Sequence, residues 1–107
     1  MNTFIDTIYF EIDTCDHKIN RFNREIKELE YDKDKLITWC NNIDKTLTSD
    51  LGLTLIAKYK QDINILIDRI KNTEELIRQI QTRKEALEHM IYKDCLSYHK
   101  LNNQNLC

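Results

Sequence analysis

The chain has no proline, no valine and a single glycine among 107 residues. Without proline nothing fixes φ or removes a backbone donor, so a helix once begun meets no built-in stop. One glycine excludes the glycine-rich loops that cradle phosphate groups. The four cysteines, Cys15, Cys40, Cys95 and Cys107, form no Cys-x-x-Cys pair, which removes the commonest zinc and thiol-redox spacings. No apolar run approaches the roughly 18 residues of a membrane span. Met1 to Ile12 contains Asp6 and Glu11 and lacks a basic start, so it is not expected to act as a secretory leader. These absences point to a cytoplasmic protein with reduced thiols. The lack of valine, with isoleucine, asparagine and lysine abundant, suits an AT-rich genome. A virus or phage would place the chain inside a virion or in the host cytoplasm.

Net charge is −2, which lacks the basic excess a nucleic-acid footprint needs. The halves differ. Residues 1–50 hold 7 basic and 11 acidic groups, and residues 51–107 hold 9 and 7. Two helices of opposite bias packed together account for that asymmetry without a charged ligand. The basic run Lys18, Arg21, Arg24, Lys27 is interleaved with Asp13, Asp16, Glu25 and Glu28, so it is no exception.

What the chain does have is a heptad pattern. Ile5, Ile8, Ile12, Cys15, Ile19, Phe22, Ile26, Leu29, Lys33, Leu36, Cys40, Ile43 and Leu47 follow alternating spacings of 3 and 4, and all but Lys33 are apolar. A second stripe runs Ile56, Tyr59, Ile63, Leu66, Ile70, Thr73, Ile77, Ile80, Lys84, Leu87, Ile91, Asp94, Tyr98, Leu101. Such stripes are the a and d positions of a coiled coil. A helix this long cannot leave its seam in water and must cover it. The expected fold is all-α: helix 3–48, turn 49–53, helix 54–101 and a polar tail 102–107. Together they form one antiparallel coiled-coil hairpin, with two hairpins pairing into a four-helix bundle. Gly52 would end the first helix in a left-handed conformation, and Thr54, or Ser49 and Asp50, would cap the next. A register in which facing seam numbers add to 106 puts Lys33 opposite Thr73. It also pairs Glu25 with Arg83, Asp44 with Lys60 and Ile37 with Ile67. Against it, Glu30 meets Glu74, Lys84 faces Phe22 and Asp94 faces Ile12. Lysine can snorkel out of such a layer.

Catalytic and metal-binding chemistry finds little footing. Glu85 and His89 are four apart, so no Glu-x-x-His motif of a di-iron bundle is present. Cys95 and His99, with Cys15 and His17, could at most form a metal half-site, and no metal, cofactor or catalytic residue is expected. Ser49 and Ser97 have no histidine placed to activate them. Cys15 and Cys40 lie in the seam, where a thiol serves as a small hydrophobe.

A two-helix seam does not use all the apolar side chains. Phe4, Tyr9, Phe10, Trp39, Leu76, Met90, Tyr92 and Leu96 fall outside it, several near the open end. They are the candidate interface, because aromatic residues and methionine concentrate at interface centres. Trp39 is expected beside Arg69. The leading expectation is a non-enzymatic interaction or assembly protein, homodimeric, binding a protein partner through a helical face. A small viral or phage accessory factor fits that description. In size and two-helix shape the chain also resembles the WXG100 family of small secreted helical hairpins. Their turn carries Trp-x-Gly, where this one reads Asp50-Leu51-Gly52-Leu53 with Trp39 mid-helix. The resemblance implies the hairpin architecture and, as an alternative function, a secretion-linked adaptor. A Cys/His metal-responsive helical protein is the third class.

Overall fold

The computed structural model describes residues 3–46 and 49–102, with side chains over 3–43 and 49–93. The chain is an all-α helical hairpin of two long helices, α1 (Thr3–Thr46) and α2 (Asp50–Asn102). Its contacts gather into two compact units, Met1–Arg21 with Ile77–Cys107, and Phe22–Leu76.

The turn differs from expectation in a way that decides the rest. α2 begins at Asp50, four residues before the expected start. The Ser49 carbonyl accepts the Leu53 N–H at 3.1 Å, and the Ser49 hydroxyl accepts the Gly52 N–H in a long bond of 3.4 Å. Ser49 is therefore the N-cap. Thr54, the other candidate, sits inside the helix and donates its hydroxyl to the Asp50 carbonyl. Gly52 lies in the first turn of α2 and is buried, four residues before the seam position Ile56. It does not act as a left-handed stop. Leu47, Thr48, the side chains of Asp44 and 94–101, and the tail 103–107 lie outside the described residues.

In the first unit, Leu87 is only 2% exposed and clusters with buried Ile8 and Cys15, while Ile12, Ile80 and Ile91 close around them. Arg83 donates to Glu11 at 3.0 Å, and Lys84 reaches Asp16 at 2.7 Å. The residue numbers of these two pairs total 94 and 100. In the second unit Leu29, Cys40, Ile70 and Thr73 are buried, and Trp39 packs on Tyr59, a total of 98. These totals fit facing seam positions that add to about 99, one heptad below the expected 106.

The register that paired Lys33 with Thr73 and Glu25 with Arg83 is thus replaced. A slip of one heptad keeps every apolar stripe facing its partner, so the stripes alone do not choose between registers. The cap chooses: starting α2 at Asp50 moves the fold-back point toward the N-terminus. The seam cysteines Cys15 and Cys40 are free thiols buried as apolar filler.

Two polar seam residues show how such positions are tolerated. Thr73 is 7% exposed, and its hydroxyl donates to the Arg69 carbonyl at 2.9 Å. That bond offsets the cost of taking the hydroxyl out of water. Lys84 sends its ammonium out of the seam to Asp16.

Candidate interaction surface

The hairpin brings some of the sequence-selected apolar residues together and separates others. Phe4, Tyr9, Phe10, Met90 and Tyr92 belong to the first unit and are all exposed. They do not form one face. Phe4 and Tyr9 sit at g and e positions, on opposite flanks of the seam, while Phe10, at f, lies on the back of α1. Phe10 is the most exposed of them, at 72%. On α2, Met90 lies on a seam flank and Tyr92 farther round. The Tyr92 ring stacks on His89, with ring centres 6.5 Å apart. The side chain of Leu96 is outside the described residues.

Tyr9 also borders an open hollow of about 400 Å³, lined with Ile12, Asp16, Lys84, Glu88 and Ile91. The Asp16 hydrogen bond, with the charges of Asp16 and Glu88, raises the Lys84 pKa above its ordinary 10.5 against an opposing desolvation. A lysine held in its charged form is the opposite of what a nucleophile or general base requires. The hollow therefore offers an apolar floor beside a fixed ion pair.

Trp39 and Leu76 belong to the second unit. Trp39 was expected to stack with Arg69. Its cation is instead Lys35, one turn earlier on α1, with the ammonium 5.6 Å from the Trp39 ring and 5.5 Å from the Tyr31 ring. Tyr59 of α2 completes the ladder, 6.1 Å from Trp39 at a tilt of 54°. The one-heptad shift explains the change, since Arg69 lies ten residues beyond Tyr59, about 15 Å along the helix.

Sequence reading missed the exposed side chains of Tyr31, Leu51 and Leu53. In a turn over 49–53 an exposed Leu51 or Leu53 carries no pattern. With α2 starting at Asp50, Leu51 opens a second 3-4 stripe on that helix: Leu51, Leu55, Lys58, Asp62, Ile65, Arg69, Asn72 and Leu76. Leu51, Ile65 and Leu76 on it are exposed. The spacing was present in the sequence and was masked by the stronger core stripe.

Among the described residues no group of three or more His, Cys, Asp or Glu side chains could hold a metal ion, and Cys95 and His99 lie outside that set. No helix among them is long and apolar enough to cross a membrane. No protein family, curated protein or solved structure matches the chain.

Proposed function

We propose that this protein is a non-enzymatic interaction module that binds protein helices, including those of a second copy, through apolar side chains its own seam leaves in water. The observation that carries this reading is Phe10, 72% exposed on the back of α1. Exposed Tyr9, Met90 and Tyr92 in the same compact unit support it. Aromatic residues and methionine are the types that concentrate at the centres of protein interfaces, and on a helix surface they are available to a partner. Aromatic anchors entering a groove, or a helix completing a bundle, are the modes such groups serve. Pairing of two hairpins into a four-helix bundle is the most economical form of the second mode.

The test is affinity capture from source cells with the full chain against a Phe10→Ser, Tyr92→Ser double variant. Both side chains face water, so helicity and melting temperature should be unchanged by circular dichroism. Specific partners should be lost from the variant. Identical partners for both chains would rule out these aromatics as anchors, and a collapsed fold would make them core.

A further inference from the structure

The second stripe of α2 has a property that follows from reading it backwards. Residues 62 and 69 are an acid and a base one heptad apart, and Leu55 and Leu76 stand one heptad outside them. Asp62 is half-buried beside the seam and Arg69 is exposed. Neither side chain makes an ion pair among the described residues. Ile65, between them on the same flank, is 51% exposed. All these residues lie within one compact unit.

We infer that this flank of α2 is a self-complementary docking surface for a second copy of the chain, with the two α2 helices antiparallel about a two-fold axis beside Ile65. In that arrangement Asp62 lies opposite Arg69 of the second copy, and symmetry forms the pair twice. Leu55 lies opposite Leu76 of the second copy, again twice, and the two Ile65 side chains meet near the axis. A two-fold contact must be complementary to itself, and Leu55, Asp62, Ile65, Arg69 and Leu76 meet that condition, while Lys58 and Asn72, the remaining positions of the stripe, come opposite each other without a like-charge clash. A parallel pairing in register would set Asp62 against Asp62 and Arg69 against Arg69, which like-charge repulsion disfavours. A partner of different sequence would have no reason to find its complement in the stripe's own reversal. The inference rests on the helix-binding function proposed above and assigns the surface through which the chain meets itself.

The test uses solution mass by light scattering of the full chain across a dilution series with reductant. The wild type should have twice the chain mass at high concentration. Asp62→Arg and Arg69→Asp should each raise the concentration of half-dissociation about tenfold or more, because each sets like charges together at two symmetry-related places. Mixing the two variants in equal amounts should restore the doubled mass, since the mixed pair regains an acid opposite a base at both places. A wild type that stays monomeric throughout would overturn the inference while leaving the capture experiment with Phe10→Ser and Tyr92→Ser to stand or fall alone. Variants that dissociate alone and do not recover on mixing would also overturn it. So would a dimer that ignores both charge changes and is lost on Phe10→Ser, which would place self-association at the open end.

Discussion

The two compact units of this hairpin meet the same difficulty, a polar residue in an apolar seam, with different chemistry. In the unit that joins the ends of the chain, Lys84 interrupts the stripe and sends its charge to Asp16 at the rim, 2.7 Å away. A second ion pair between the helices, Arg83 with Glu11, lies nearby. In the unit that holds the turn, Thr73 stays buried and satisfies its hydroxyl on its own helix. There the described links across the seam are apolar and aromatic, with Trp39 against Tyr59. A long flexible side chain exports its polarity, while a short one must satisfy it where it stands. The Lys84 pair therefore responds to salt and pH, and the Thr73 hydroxyl does not.

The largest test of that contrast is to cut each core separately. Leu87→Ala removes the most buried side chain among the described residues and should cost roughly 3 kcal/mol. Ile70→Ala, at a buried position of the other unit, should cost a similar amount, within a range of about 2–5 kcal/mol. Amide exchange would then separate them. Leu87→Ala should speed exchange over residues 3–21 and 77–93, and Ile70→Ala over 22–76. If either change loosens both regions equally, the units unfold as one and the contrast has no thermodynamic content.

Ser49→Ala comes next. Loss of the N-cap should destabilise the chain by about 1 kcal/mol, read as a shift in the denaturation midpoint. The same residue shows what could be learned from sequence. The helices, their antiparallel seam and the burial of Cys15, Cys40 and Ile70 were all legible, because each depends on period, and period survives any error in the turn. Register was not legible. Registers one heptad apart bury the same stripes and differ in their flanking pairs and in which residue caps α2, terms of about 1 kcal/mol or less each. From those small terms followed the misplaced partners of Trp39, Glu25 and Lys84. The candidate surface fared similarly. Phe10 and Tyr92 stood out as apolar residues off the seam, whereas Leu51 became informative only once Ser49 placed it inside a helix.

Thr73→Val should have a smaller effect. The hydroxyl and the carbonyl it bonds belong to one helix, so removing it leaves the Arg69 carbonyl with its main-chain partner and buries a methyl group instead. A change within about 1 kcal/mol, toward greater stability, is expected. A loss of 2 kcal/mol or more would mean that the hydroxyl holds something across the seam, and the contrast with Lys84 would fade.

Lys84→Met is the most delicate of the five substitutions, and its information lies in how the effect varies with solution conditions. The ion pair is partly exposed, and such pairs contribute little and weaken in salt. Because Asp16 raises the folded-state pKa of Lys84 above 10.5, the stabilisation is fully present below the unfolded value. It is lost as pH rises through the raised one. Wild type should therefore melt above Lys84→Met at neutral pH and low salt. The gap should close in molar salt, and again as pH climbs past the lysine range. The difference between the two melting temperatures is the quantity to follow. No comparable dependence should separate wild type from Thr73→Val, whose hydroxyl carries no charge to screen or titrate. A gap that stays constant from neutral to alkaline pH would mean that the Lys84 stem, which lines the same hollow as Ile12 and Ile91, matters more than its charge.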